Sequence, residues 1–440
     1  VPTPERSLLQ SMGKLAEPLL PTEKHAKFGA PLLQAVFNVV NTTFGTGFFL
    51  YPRQFAINGI GVSLVIMAVL LIAVVFSLHS LADAVSRSPA RLTAYPETIG
   101  YLTRPFCSRL VSATINLYLV MAAAAYIGLV ADQVQALVGD ATPPRWVVLL
   151  VPLAFAAPFS LFRRFASFAL TSAFGVFVNS FVVVVLCSEA AGVLMRRGVA
   201  RDEGDVYDHR ESITGDGSAS AFLNLATLCT TVVFSFQCHS DAFIPALRSL
   251  AHPSHSTAVI YYSFAFCSLL YMAFGVLGAL AWGNHAGPDP LSDNLPDDGL
   301  SQACRICVIL KVFVSFPLLF FAARLCAGDA LLGDDITKPE HAFAFHIYTP
   351  CFFALAWALA ASIPQLNALA DLAAAVGGTL QMFVWPGVVW VAMHYYGAGS
   401  TEDRTSVRGS FVQLALGVGL AIIGFGVTVC GVAGVVGTEL

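Results

Sequence analysis

An all-helical integral membrane fold follows from this sequence on three observations. Of its 440 residues, 57% are hydrophobic and only 11% are charged, against about 25% charged in an average soluble domain. The apolar residues come in long blocks, most of them as long as the ~20 residues a helix needs to cross hydrocarbon. Two of those blocks are longer than the rest, and each is interrupted by a short polar run at membrane depth. These runs are Asn41-Thr42-Thr43-Phe44-Gly45-Thr46-Gly47 and Phe234-Ser235-Phe236-Gln237-Cys238-His239-Ser240-Asp241. Backbone that is neither helical nor watered is costly inside a bilayer, so such runs call for a functional reason.

Eleven spans are expected, near residues 31–57, 60–80, 109–132, 146–162, 165–189, 221–247, 257–282, 303–325, 343–362, 367–391 and 411–435. The first and sixth have the surplus length of a helix that unwinds partway across. The sixth opens a second block of five, so the spans form a five-plus-five inverted repeat with one extra C-terminal helix. Broken helices at matching places in two halves point to a transporter's substrate site. Three regions result: a polar, Pro-rich cytoplasmic tail at 1–30, a core at 31–391, and a loop with the eleventh helix at 392–440. The first residue is Val rather than Met, so a longer native tail is expected.

Basic residues set the orientation. With the N-terminus in the cytoplasm, the inner side carries fifteen: Arg6, Lys14, Lys24, Lys27, Arg87, Arg91, Arg104, Arg109, Arg163, Arg164, Arg248, Arg324, Lys338, Arg404 and Arg408. The outer side carries Arg145, Arg196, Arg197, Arg201, Arg210 and Arg305. Arg196 and Arg197 go against the rule, but the inner excess outweighs them. The outer loops are also the acidic ones, at 202–216 and 289–298. A net charge of −4 says nothing of nucleic acid, and no basic run suggests it, so no nucleic-acid partner is expected. Nor does the chain carry an ATP-binding loop, a catalytic triad or a metal cluster, so it is not expected to be an enzyme.

Most cysteines lie inside apolar blocks, among them Cys229, Cys238, Cys267, Cys351 and Cys430, and suit small buried hydrophobes. Cys304 and Cys307 form a lone CxxC without a second pair, which argues against zinc. Cys187 and Cys304 both fall near the outer face, where a disulfide can form. Asn41-Thr42-Thr43 matches a glycosylation sequon at a depth that no glycan reaches.

The second interruption carries a resemblance. Phe234-Ser235-Phe236-Gln237-Cys238-His239-Ser240, then Ile244-Pro245, Leu247 and Pro253, with Tyr271, Gly275 and Gly278 downstream, resemble the amino acid/auxin permease family. Its branch of sodium-coupled neutral amino acid transporters is the most similar. Asn38, Gly45-Thr46-Gly47 and Pro52 resemble that family's first helix, and Ser315, Pro317 and Arg324 its eighth. The resemblance covers residues 31–391. It implies a LeuT-type fold of eleven helices and secondary transport of amino acids, with Na+ or H+ as the co-transported ion and no other cofactor.

A zwitterion needs two opposite polar ends at the midplane. The half-helix starting near Gly47 offers unpaired N–H groups and a positive dipole end, suited to a carboxylate. Glycines at 45 and 47 allow close approach. The stretch at 235–239 offers carbonyls, suited to an ammonium. Candidate substrate contacts are therefore Thr43, Gly45, Thr46, Gly47, Ser235, Phe236, Gln237 and His239, with Asn116 beside Tyr118 and Ala122 on the third span. His239 can instead simply tie down the unwound backbone, or it can sense protons. In the resembled branch sodium would use the first and eighth helices, here Asn38 and Ser315, both oxygen donors.

Three intramembrane charges depart from that pattern. Lys311 lies one turn before Ser315 on the same face, where its ammonium can take the cation's place or carry a proton. Asp241 lies just past the second break and is its expected partner. Arg53 lies above the first break and Asp371 one turn into the tenth span; a pair between them would resemble the outer gate of LeuT-type proteins. The substrate expected is a small neutral amino acid, moved by alternating access across the plasma membrane or that of a lysosome or vacuole. The protein is expected to act as a monomer. The alternatives are an amino-acid sensor signalling through its cytoplasmic tail, favoured by a long tail, and a channel, which would show polar stripes along several helices.

Overall fold

The computed structural model describes residues 32–90, 92, 94–160, 169–197, 218–287, 289–363, 365–398 and 410–438. The expected N-terminal tail, Arg163, Arg164, the loop at 202–216, Arg404 and Arg408 lie outside them. Every regular element among the described residues is helical.

The first apolar block is α1 (Leu32–Thr43), a tight turn at Gly47–Leu50 and α2 (Tyr51–Asn58). Then come α3 (Ile60–Arg87), α4 (Tyr95–Leu102), α5 (Pro105–Val138), α6 (Arg145–Val148), α7 (Leu150–Ser160) and α8 (Ala169–Arg197). The sixth block is α9 (Ser218–Ser235), a wide turn at His239–Phe243 and α10 (Ile244–Ser249). It is followed by α11 (Ser256–Trp282), α12 (Pro290–Asp293), α13 (Gly299–Leu332), α14 (Ala342–Ser362), α15 (Leu366–Ala373), α16 (Trp385–His394) and α17 (Phe411–Thr438). Among the described residues, nine helices are long and apolar enough to cross a membrane. The block at Arg145–Pro158 is shorter, and the first block is split.

Helices run past the expected ends where charge can be paired on the surface. The second span continues to Arg87, which binds Asp83 one turn back at 3.1 Å. The tenth span departs more. A continuous helix was expected over 367–391, but two successive i→i+5 turns occupy Ala374–Gly378 and Leu380–Val384. Gly377 lies there against α5, where a Cβ would come within 2.6 Å of Tyr118 Cβ. Such wide turns let a helix bend around a close neighbour. All ten cysteines are free, so Cys187 and Cys304 are not bridged.

Packing explains why the seventh span carries small residues. Tyr271, Gly275 and Gly278 share one face of α11, and that face lies on the first block. A Cβ on Gly275 would meet the Phe55 ring at 3.0 Å, and one on Gly278 would meet Pro52 at 2.7 Å. Without a hydrophobic force between helices in lipid, close backbone approach is a main source of attraction. The halves of the two broken blocks also cross. The pieces Gly47–Leu50 and α2 pack on α9, and α1 packs on His239–Phe243 and α10.

Gly278→Ala should therefore destabilise the fold by ~1–3 kcal/mol, the usual cost of overpacking, because the Pro52 ring has no rotamer in which to escape. Thermal unfolding of the purified protein measures this, and Gly419→Ala, with open space at its Cβ, is the control.

Candidate functional site

Two helix ends meet at the centre of the molecule. α1 stops at Thr43 because the chain turns tightly there: Phe44 N–H still reaches Val40 O at 2.6 Å, but Gly45 N–H folds back to Thr43 O at 2.8 Å. The turn at Gly47–Leu50 has no side-chain cap from Thr46. Its first amides are the unpaired donors that every helix start leaves. α9 ends at Ser235, and regular bonding resumes when Ala242 and Phe243 N–H both return to Cys238 O, at 3.3 and 3.0 Å.

Gly47 and Ser235 are in direct contact. A Cβ on Gly47 would lie 2.4 Å from Ser235 Oγ and 3.0 Å from Ser235 Cα. The glycine is needed because another backbone occupies the space its side chain would take. Gly45 is different: its Cβ position is open, with Tyr126 Oη 3.5 Å away.

One hydroxyl spans both breaks. Tyr271 Oη donates to Thr43 O at 2.7 Å and lies 3.3 Å from Ser235 O. Its ring stacks on Tyr51 and meets the edges of Phe44 and Phe236, with centroids 5.2–5.7 Å apart. On the far side Asn179 Nδ2 donates to Phe44 O. The carbonyls of Thr43, Phe44 and Ser235 are thus bonded by side chains from α11 and α8.

The expected contacts divide into two sets. Thr43 and Thr46 are buried at the first break, and their hydroxyls have no hydrogen-bond partner; Asn38 Oδ1 is likewise unpartnered. These oxygens are available to a ligand. Other expected contacts already have structural partners. Ser235 Oγ donates to Thr231 O at 2.8 Å, and Phe236 stacks on Phe264. Asn116 Nδ2 donates to Ala323 O and Tyr348 Oη, both at 2.7 Å, joining α5 to α13 and α14. His239 Nε2 lies 2.8 Å from Ser77 Oγ on α3. Since Ser77 Oγ also donates to Val74 O, the ring nitrogen is the donor, and the imidazole ties the unwound segment to α3. Gln237 donates to Gln381 Oε1 at 2.7 Å, leaving Gln237 Oε1 and Gln381 Nε2 buried and unpartnered.

The two expected ion pairs are not formed. Asp371 accepts from Thr230 and Thr231 of α9, at 2.8 and 3.2 Å, and not from Arg53. Both hydroxyls bond Oδ1 of Asp371, while Arg53 is half-buried on α2. Asp241 is exposed on the α10 side of the second break and does not pair with Lys311. Lys311 is 3% exposed, with Nζ 5.4 Å from the centre of the Tyr126 ring, whose hydroxyl faces Gly45. A cation–π contact takes the place of the missing carboxylate. Ser315, one turn on, is half-buried.

Tyr126, Gln381, Ser77 and the bridging role of Tyr271 escaped the sequence reasoning. Polar Gln381 inside an apolar span was a usable signal; a lone tyrosine among Ala122 to Ala125 was a weak one. Among the described residues one group of donors has metal-like spacing, Asp334, Glu340 and His341. Lys338 sits in it, 2.6 Å from Asp334, and together with His341 holds that carboxyl at about 2. An ammonium within the cluster opposes a metal ion.

The family model described as "Transmembrane amino acid transporter protein" matches residues 29–436. The chain belongs to this family. It is a family of transporters, not of enzymes. Relatives include "Sodium-coupled neutral amino acid transporter 7" of Bos taurus, 22% identical, with 81% of this chain and 78% of that protein covered. "Solute carrier family 38 member 8" of Homo sapiens is 23% identical, with 84% and 87% covered. "Amino acid transporter AVT6A" of Arabidopsis thaliana is 26% identical, with 74% of each covered. The fold is that of MhsT, solved in complex with L-phenylalanine: TM-score 0.58 at 10% identity, over 93% of this chain and 99% of that one. The all-helical LeuT-type architecture expected from the sequence is therefore present.

Tyr271→Phe should cost ~1–3 kcal/mol by stranding buried carbonyls, and should reduce transport more than it reduces the amount of folded protein. Uptake normalised to monodisperse protein separates the two effects. Gly47→Ala should be more damaging than Gly45→Ala, and Ser235→Gly should partly rescue Gly47→Ala but not Tyr271→Phe.

Proposed function

We propose that this protein carries out secondary active transport of a small neutral amino acid by alternating access, with Na+ or H+ as the driving ion. The observation that carries this is the meeting of two helix breaks around Tyr271, with the amide-rich start at Gly47–Leu50 and unpartnered oxygens of Thr43, Thr46 and Asn38 beside it. Amides suit the substrate's carboxylate, and oxygens suit its ammonium or a hard cation. Such a meeting of breaks is what a five-plus-five inverted repeat would bring to a substrate site.

Accessibility differs on the two sides of the breaks. Residues 46–52 are buried, and above them Gly283–His285 packs on α2 and α12 on the turn at Gly47–Leu50. Gln133 donates to Asp289 at 2.5 Å, and Arg305 holds Asp297 at 3.1 Å, fastening that loop. On the other side Asp241 is exposed and Asn38, Asn41, Thr42 and Gly45 are partly so. This asymmetry supports one closed and one open gate, the geometry of a transporter caught facing one way. With the N-terminus in the cytoplasm, the open side is the inner one.

Lys311 supports a proton as the coupling ion. Its buried ammonium stands one aromatic ring from the first break, on the helix that would share a sodium site through Ser315. A proton on Lys311 then takes the place that Na+ would take at Asn38 and Ser315. The membrane is that of the cell surface or of an acidic organelle.

Proteoliposomes given a proton gradient should accumulate a neutral amino acid, and a sodium gradient should add little. Lys311→Met should abolish accumulation, by tenfold or more, yet keep exchange of internal for external substrate. Sodium-driven uptake that survives Lys311→Met would place the ion at Asn38 and Ser315 instead. Binding without uptake or exchange would make the protein a sensor. Asp289→Asn should loosen the closed loop, raising the labelling of Thr46→Cys by a membrane-impermeant thiol reagent from the α2 side.

A further inference from the structure

Away from the breaks, a groove of about 910 Å³ opens between α4, the start of α5, α16 and α17. Its volume is at the upper end of the ~300–1,000 Å³ of ligand cavities. The close crossing of α16 and α17 forms its floor: a Cβ on Gly387 would lie 2.5 Å from Gly417 O. Its composition is graded along its length. Val388, Val391, Ile422 and Phe425 make apolar walls, and the polar residues, Tyr101, Thr103, Arg104 and Tyr396, come from the chain segments that leave the membrane beside it. Tyrosines with an exposed ring, at 53% for Tyr101 and 66% for Tyr396, mark the level of lipid headgroups.

Arg104 is the one basic residue lining the groove. It is exposed, and among the described residues no carboxylate lies within ion-pair distance of it. Other basic residues of that region are occupied: Arg87 binds Asp83 and Met393 O, and Arg248 binds Ser88 and Leu92 O. A guanidinium presents a fork of donors that matches a phosphate. Basic pockets between membrane helices hold anionic headgroups for the same reason.

We propose that this groove binds one anionic glycerophospholipid, its phosphate on Arg104 and its acyl chains along Val388, Val391, Ile422 and Phe425. The occupant is amphiphilic because the groove is, and anionic because, among the described residues, the one charge at its mouth is positive and has no carboxylate partner. A bound lipid there bridges α4 and α5 to α16 and α17, and so tethers the last helix to the core on that side.

The test uses the delipidated full chain, incubated with phosphatidylglycerol or phosphatidylcholine of identical acyl chains and examined by native mass spectrometry. Phosphatidylglycerol should be retained about fivefold better, the effect of one basic side chain on an anionic lipid. Arg104→Gln should bring the ratio close to one, Arg104→Lys should keep most of it, and Val418→Trp, which fills the groove, should reduce retention of both lipids. A ratio of one in the unaltered chain, an unchanged ratio in Arg104→Gln, or preferential retention of a sterol would each overturn the proposal. A phosphatidylglycerol with a photoreactive acyl chain, used on the unaltered protein, checks the place without any substitution: crosslinks should map to residues 387–391 or 417–425, and crosslinks elsewhere would refute it.

Discussion

Wherever a helix stops inside a bilayer, its freed carbonyls and amides must find partners in the protein, and the centre of this molecule is organised around that requirement. The Tyr271 hydroxyl meets it for both broken blocks at once, reaching Thr43 O and Ser235 O. Its ring is packed by Phe44, Tyr51 and Phe236, so the hydroxyl cannot swing away without disturbing the chain segments it serves. The small residues of α11 follow from the same need. Gly275 and Gly278 let the helix lie close enough to α2 for a tyrosine one turn away to reach the break.

The polar groups near the breaks then sort by whether the fold has already used them. His239, Asn116 and Gln237 connect one element to another, and Ser235 bonds back within its own helix. Thr43, Thr46 and Asn38 keep buried oxygens without partners. A buried polar atom costs free energy unless something satisfies it. The same argument distinguishes the charges. Asp371 accepts from two hydroxyls of α9; among the described residues, Lys311 stands against the face of Tyr126.

Membership of the transmembrane amino acid transporter family and the sharing of a fold with MhsT place these details in a mechanism-bearing frame. The sodium-coupled relatives share about a quarter of their residues with this chain.

Composition and block length were enough to establish a helical membrane protein, since bilayer thickness sets span length and hydrocarbon excludes charge. The polar interruptions at 41–47 and 234–241 located both breaks to within a few residues, because only an unwound backbone needs such residues at that depth. Run and motif also pointed to the family. Which polar side chains are free was not legible in the sequence. Burial and partner depend on residues far away in the chain: Ser77 for His239, Gln381 for Gln237, Thr230 and Thr231 for Asp371. Depth along a helix suggested pairing Asp241 with Lys311 and Arg53 with Asp371, but depth says nothing of rotation about the helix axis, and rotation decides what a side chain meets. The packing of helices against one another fixes that rotation, so only the tertiary structure could separate the residues that hold the fold from those left open to a ligand.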